Sequence, residues 1–446
     1  MVDTKAVPAP VVPVPAGPAQ RWLARLSFLV AAAAAVLVIT VAGVRGSVGL
    51  LLVGGVGMAV ALAGAWWFLS HRGVLRWLAA LLVAGAPLTI AVLYARARLV
   101  WVVVLFAVLW PAALAAGRRA LATPGAAGPH EYATPPPRRP YLIMNPRSGG
   151  GKVGRFDLVA RARELGAQVA LLEGQVSVVE LARQAVRDGA DLLGVAGGDG
   201  TQALVAGVAA EHGLPFMVIS AGTRNHFALD LGLDRDDPAT CLDALADGVE
   251  LRVDLGRIGG RTFVNNASFG AYAAVVQSPA YRDDKTRTTL DMLPDLLTGH
   301  EGPRLRVIAG DLDLTGPQAV LISNNPYGSE DVAGLGRRPR LDGGVLGVLA
   351  VTVHGAVDAA ALVGGRRWSK AVVTRTVTEA VVEADAPSIP VGIDGEAVSM
   401  PTPVRCTVRR GALRVRVPRR RPGVPAPPPE LDWTRLRRLA LSIGRP

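Results

Sequence analysis

The sequence predicts an α/β domain with a doubly wound parallel sheet. An antiparallel-rich second domain follows it, and about four transmembrane helices precede both. Three observations lead there. Apolar runs fill most of residues 22–116. From 141 to 251 short apolar strands alternate with helices, and three of the strands end in glycine-bearing loops. Beyond 252 the helices thin out and β segments separated by turn residues take over.

Composition agrees with this reading. The chain has 446 residues, of which 50% are hydrophobic, 19% charged and 5% aromatic. That is length for two to three domains and apolar content that excludes wholesale disorder. A mean hydropathy of +0.33 points to membrane segments. Cys241 and Cys406 stand far apart, which argues against a disulfide framework or a Cys-rich zinc site. The net charge of +12 is unevenly spread: residues 1–140 carry 12 Lys/Arg against 2 Asp/Glu, residues 141–404 carry 24 against 32, and residues 405–446 carry 12 against 2. Basic ends around an acidic middle exclude the usual nucleic-acid binder, whose folded domain is itself basic. They fit an anionic membrane surface.

The first 20 residues form a Pro-rich tail. Apolar runs at about 22–44, 47–69, 74–94 and 99–116 each approach the length needed to cross a bilayer, and define a membrane domain over 21–117. Lys5, Arg21, Arg25, Arg72, Arg76, Arg118, Arg119, Arg138 and Arg139 outnumber Arg45, Arg96 and Arg98 on the other side. The expectation is a multi-pass cell-membrane protein with both ends, and residues 141–446, in the cytoplasm. A Pro-rich linker spans 118–140.

The α/β domain is expected over 141–252. Tyr141–Met144 runs into Asn145-Pro146-Arg147-Ser148-Gly149-Gly150-Gly151-Lys152. Leu192–Ala196 runs into Gly197-Gly198-Asp199-Gly200-Thr201, and Phe216–Ser220 into Ala221-Gly222-Thr223-Arg224-Asn225. Glycine lets backbone N–H groups approach a phosphate, and the helix that follows adds its positive end. Val153 stands where a Walker A motif needs Ser or Thr, which excludes a P-loop NTPase. Asp199, enclosed by glycines, suits a metal–phosphate or a ribose; a capping Asp in a tight strand–helix turn is the plainer alternative.

The β-rich domain is expected over 253–417, with one helix near 283–298. Within it Asp394-Gly395-Glu396 is an acidic turn, or a hairpin turn and nothing more. The stretch 418–446 is a basic tail.

These motifs together resemble the catalytic domain of the diacylglycerol kinase family of lipid kinases, which is distantly related to NAD kinases. The resemblance rests on the three loops, on Val253-Asp254-Leu255-Gly256, on Phe263-Val264-Asn265-Asn266-Ala267-Ser268-Phe269-Gly270 and on Ile393-Asp394-Gly395-Glu396. It covers about 141–415 and implies an α/β nucleotide-binding domain paired with an antiparallel β-sandwich-like second domain, with lipid entering between them. It implies that ATP and Mg²⁺ are used, and that Asn145, Ser148 and Gly149 line the nucleotide cleft. Gly197, Gly198, Asp199, Gly200 and Thr201 would cradle the phosphates, with Asp199 on the Mg²⁺ side. Gly222, Thr223 and Asn225 would complete the cleft, and Asp394 or Glu396 would be the base for a lipid hydroxyl. The sequence departs from the family at His226, at Leu172 and at Leu341-Asp342-Gly343-Gly344, where Gly343 replaces the Asp of a metal turn and Asp342 is the remaining candidate ligand.

The reading implied is a membrane-anchored kinase that turns diacylglycerol into phosphatidic acid. A kinase for a sphingoid base or a polyprenol is the nearest alternative. A weakened nucleotide-binding membrane regulator is the alternative of another class. The expected partners are the lipid substrate and a bilayer with anionic headgroups, without nucleic acid; a homo-oligomer is left open.

Overall fold

The computed structural model describes residues 17–71, 73–96, 98–121, 129–173, 176–270, 273, 302–328, 337–352, 372–423 and 431–442. The helix expected near 283–298, Arg72 and most of the Pro-rich first 20 residues lie outside them. Contacts group the chain into two units, one of 1–61, 82–126 and 427–446, the other of 62–81 and 127–426.

Four stretches are long and apolar enough to cross a membrane: Pro18–Val41, Leu52–Ser70, Val74–Arg96 and Val100–Leu121. Three helices carry them: α1 (Pro18–Ser70), α2 (Val74–Arg96) and α3 (Val100–Leu121). The break expected near Arg45-Gly46-Ser47 is not there. A single glycine costs a helix only about 1 kcal/mol, and no proline interrupts this stretch. The N-terminal part of α1 runs beside the end of α3, where the Ser27 hydroxyl donates to the Ala113 carbonyl at 2.8 Å. Further along, Gly54 leaves room for the Tyr94 hydroxyl and Gly57 for Ile90 of α2.

The C-terminal helix Trp433–Leu441 belongs to the same unit. It is N-capped by Asp432, whose carboxylate accepts the Arg435 N–H at 2.9 Å. Its Leu436 is fully buried with Ala24, Ala120 and Leu121. The Arg25 side chain donates to the Ala440 and Ser442 carbonyls at 3.0 and 3.1 Å and so closes the helix's C-terminus. Trp433 stands 6.3 Å from Phe28, centroid to centroid.

The second unit is built on strands. After a short β1 (Tyr132–Ala133) come β2 (Pro140–Met144), α4 (Lys152–Arg155), α5 (Leu158–Glu164), β3 (Gln168–Leu171), α6 (Val178–Arg187), β4 (Leu192–Ala196), α7 (Asp199–Glu211), β5 (Pro215–Ile219) and α8 (His226–Asp230). Each strand reads as expected: β4 is buried along its whole length, and the edge strand β3 is only half-buried. Helix α6 starts at Ser177, whose hydroxyl accepts the Glu180 N–H.

The chain then becomes almost wholly β: β6 (Gly248–Ile258), β7 (Arg261–Phe263), β8 (Asn266–Gly270), β9 (Leu305–Ala309), β10 (Leu312–Thr315), β11 (Ala319–Asn324), β12 (Leu346–Val351), β13 (Val372–Val377), β14 (Glu379–Ala384), β15 (Ser388–Ile393), β16 (Glu396–Pro401) and β17 (Val404–Pro418).

Among the described residues these strands form two sheets. In the first, β3, β2, β4 and β5 are parallel, and β17 adds itself in parallel beside β5. The same sheet continues antiparallel through β17 to β14, β9 and β10, while β6 also pairs with β17. Strand β6 therefore crosses the boundary expected at 252–253. The second sheet is antiparallel, in the order β13-β12-β11-β8-β15-β16. One core packs around the parallel strands, with Phe216 and Phe227 inside it. The other, with Phe263, Phe269, Ile322 and Val391, lies between the two sheets as in a sandwich.

The basic tail is less free than its sequence suggests. Arg419 pairs with Asp247 at 2.9 Å and Arg421 with Glu131 at 2.6 Å. Both follow directly on β17, which holds them against the domain.

Leu436→Ala should loosen the C-terminal helix from α1 and α3 by about 2–5 kcal/mol, the range for truncating a buried leucine. Trypsin cleavage after Arg435, Arg437 and Arg438 should accelerate correspondingly in the intact protein.

Candidate active site

The three glycine loops meet at the carboxyl ends of β2, β4 and β5, where open α/β sheets hold their ligands. In the first loop the Asn145 N–H donates to the Ala196 carbonyl at 2.8 Å, and the Asn145 side chain accepts the Arg147 N–H at 3.0 Å. The chain then passes Ser148 and three glycines with φ of 55°, 70° and 81° at 149, 150 and 151. At Gly149 a Cβ would lie 3.0 Å from the Gly222 carbonyl oxygen, so only glycine lets the first loop sit on the third.

Loops two and three are equally close. A Cβ on Gly222 would stand 2.9 Å from the Gly197 carbonyl oxygen and 3.1 Å from Gly198 Cα. Asn225, at φ 55°, closes the third loop by donating to the Ser220 and Gly222 carbonyls at 2.9 and 2.8 Å. Its Oδ1 is buried without a protein partner, an acceptor that a ligand hydroxyl or amino group would satisfy. Thr223 is exposed at the rim, and Thr201 packs against Gly197.

Asp199 opens α7 and is buried. Its carboxylate accepts the N–H groups of His226 and Phe227, each at 3.3 Å, and so caps α8 rather than its own helix. It stitches loop two to loop three. Burial pushes the His226 ring below its ordinary value, against the pull of the Asp199 carboxylate.

The acidic turn comes to the same place from a distant part of the chain. Ile393 pairs with Glu396 across a two-residue turn, with φ of 47° at Asp394 and 85° at Gly395. That is the hairpin geometry of Asp-Gly, so this plainer reading holds as well. Asp394 then does more. Its carboxylate accepts the N–H groups of Val264, Asn265 and Asn266 at 2.8, 2.8 and 3.0 Å. Burial pushes the carboxyl up to about 7, against these three donors and with a further upward push from Asp199. Glu396 is exposed. Its carboxyl group occupies the space beside Gly200: a Cβ there would lie 2.6 Å from Glu396 Cδ. The fold thus brings Glu396 onto the Asp199-Gly200 loop, and leaves Asp394 committed to the backbone.

Asp342 goes elsewhere. Its carboxylate pairs with Arg340 at 2.9 Å, and Gly343 offers no ligand. The Gly343 N–H donates to Asn325 Oδ1 at 2.8 Å, and Asp254, fully buried, accepts the Gly344 and Gly411 N–H groups and Asn325 Nδ2. This turn is closed by hydrogen bonds and does not fit a cation. Among the described residues no three His, Cys, Asp or Glu side chains converge as metal ligands. Sequence reasoning missed Arg338, Asp230, Asn324 and Asn325. Arg338 hides in the run Arg337-Arg338-Pro339-Arg340, which reads as surface charge, and burial alone sets it apart.

Fold and site define a two-part protein in which an α/β sheet with three glycine loops meets an acidic hairpin of a β sandwich. The chain matches the model of the family described as Diacylglycerol kinase catalytic domain over residues 139–258. It is 34% identical over 129 residues to the diacylglycerol kinase of Bacillus subtilis (strain 168), covering 28% of this chain and 42% of that protein. It is 33% identical over 120 residues to the diacylglycerol kinase of Mycobacterium tuberculosis (strain H37Rv), covering 26% and 39%. The matches span about two-fifths of the length of these relatives. A solved diacylglycerol kinase structure from Bacillus anthracis str. Sterne superposes with a TM-score of 0.46 at 16% identity, over 63% of this chain and 96% of that one.

Asp394 generates a pH prediction. Its carboxyl is held above the ordinary carboxylate value of about 3.9, so the folded state holds a proton that the unfolded state releases. This group alone makes stability fall as pH rises from about 4 to 7. Urea unfolding of wild type and Asp394→Asn across that window should show a weaker decline in the variant. Parallel curves would refute the assignment.

Proposed function

We propose that the protein is an ATP- and Mg²⁺-dependent lipid kinase, held at the cytoplasmic face of the cell membrane, with diacylglycerol as substrate and phosphatidic acid as product. The observation that carries this reading is the meeting of Glu396 with the Asp199-Gly200 loop across nearly two hundred residues of sequence. The kinase-domain match over 139–258 supports it from one side of the cleft.

In this reading the N–H groups of Gly149, Gly150, Gly198 and Gly222 receive the phosphates, and the start of α7 adds its positive end. Mg²⁺ arriving with ATP neutralises charge on the phosphate oxygens. Asp199 faces that side, and the Asp342 turn takes no part. Asn225 Oδ1 is the acceptor left for the nucleotide. The lipid hydroxyl enters against Glu396, which takes its proton as the hydroxyl oxygen bonds to the γ-phosphorus. The bond from that phosphorus to the leaving ADP oxygen breaks in the same step. Exposure suits Glu396 to this role, whereas Asp394 is spent on three N–H groups.

Membrane helices suit an insoluble substrate, because tethering raises its effective concentration. The exposed Trp22 and Trp433 and the exposed Arg435, Arg437 and Arg438 suit an interface with anionic headgroups. Four separate spans need a break near Arg45-Gly46-Ser47, where the structure has α1 continuous.

Two measurements test the reading. In mixed micelles with labelled ATP and separate diacylglycerol, sphingoid-base and polyprenol arms, the diacylglycerol arm should yield labelled product. Glu396→Gln should cut its turnover by about 10²–10⁴-fold, the range for losing a general base, with ATP binding retained. Label in another arm alone would replace the substrate, and ATP binding without label in any arm would favour a regulator. For the membrane, a cysteine at Ser47 should react with an impermeant reagent from the outer face of intact cells, and one at Arg138 should not. The reverse pattern would invert the orientation.

A further inference from the structure

Arg338 lies beyond the matched region 139–258, yet it bonds to α8 on one side and to the segment before β8 on the other. It is only 1% exposed. Its Nε donates to Asp230 Oδ2 at 2.7 Å, and its own backbone N–H to Asp230 Oδ1 at 3.0 Å. Nη1 donates to the Val264 and Asn324 carbonyls at 2.6 and 2.7 Å, and Nη2 to Asn265 Oδ1 at 2.7 Å. The Tyr327 ring covers the guanidinium at 5.8 Å, and its hydroxyl accepts the Asn266 side-chain N–H at 3.0 Å.

A buried ion pair is a poor device for stability, since removing both charges from water costs several kcal/mol per ion and well-packed apolar residues often serve as well. Its geometry, in contrast, is specific. Asp230 ends α8, the helix whose first N–H groups are held by Asp199. On the other side, the Val264 carbonyl and the Asn265 N–H belong to one peptide group. That group accepts from Arg338 and donates to Asp394 Oδ1 at 2.8 Å. A cation at the carbonyl end polarises the peptide and strengthens its N–H as a donor. Two residues past Asp394 stands Glu396. A hydrogen-bonded path from Asp199 to the Glu396 hairpin therefore runs through one guanidinium.

We propose that Arg338, through Asp230 and the Val264–Asn265 peptide, is the positioning residue that holds Glu396 in register with the phosphate loop. This rests on the reading of Glu396 as the base. The planar fork of arginine is needed, because a lysine ammonium pairs with Asp230 but cannot reach both carbonyls in the fixed directions the guanidinium does.

The test uses the full chain in lipid nanodiscs, with the variant Arg338→Lys. Turnover in lipid phosphorylation should fall about 10²-fold, the scale of a 1 Å misplacement, while the KM for ATP changes less than about threefold. Amide hydrogen exchange at 264–266 should accelerate about tenfold, with β4 unchanged. If the lysine variant does not fold, the neutral pair Arg338→Gln with Asp230→Asn carries the same measurements and the same expected losses. A folded variant that keeps wild-type turnover overturns the proposal, and so does failure of both variants to fold, which would make Arg338 a folding residue. Should wild type phosphorylate no lipid, the function proposed above falls, and the exchange data decide the path: unchanged rates at 264–266 overturn it, and the tenfold rise upholds it.

Discussion

A carboxylate taken out of water must be answered, and in this protein the main chain does much of the answering. Asp199 and Asp254 are buried, and together with Asp394 they accept backbone N–H groups from segments distant in sequence. An unanswered charge there would cost several kcal/mol or stay protonated. Each aspartate therefore dictates which loop lies beside it. Asp199 draws loop three to loop two, Asp254 draws the 343–344 turn and Gly411 of β17 to β6, and Asp394 draws the start of β8 to the acidic hairpin. The glycines permit the close approaches that these bonds require.

Much of this was legible in the residues. The period-two and buried-strand patterns located β2, β4 and β5, and glycine at strand ends located the three loops. Asp394-Gly395 announced a tight hairpin. Long-range partnership was not legible. Nothing in Val404–Pro418 says that it will lie parallel to β5, because strand pairing across such a separation depends on what else fills the sheet. Burial of one arginine in a run of three was equally hidden, since charge patterns carry no sign of which member finds an aspartate. The division of roles between Asp394 and Glu396 needed the three N–H groups at 264–266, which sequence spacing cannot place.

The helical unit shows the same limit from another direction. Hydropathy found four apolar stretches, and the backbone carries the first two as one helix because glycine alone does not end a helix in apolar surroundings. Basic residues near the C-terminus, alike in sequence, also divide. Arg419 and Arg421 are taken up by carboxylates of the strand-built unit, while Arg435, Arg437 and Arg438 remain on an exposed helix face.

Strand β17 has a consequence for biosynthesis. It fills the place beside β5 and also carries β6 and β14, so the parallel sheet lacks a neighbour until Val404–Pro418 has been made. Ribosomes add roughly 5–20 residues per second, so on the order of ten seconds or more separate the synthesis of β5 from that of its partner. Over that interval the edge of β5 is open to any other extended chain. The nascent α/β half is thus an unfinished sheet on the ribosome, and it is closed by the last strand of the sandwich rather than by its own sequence.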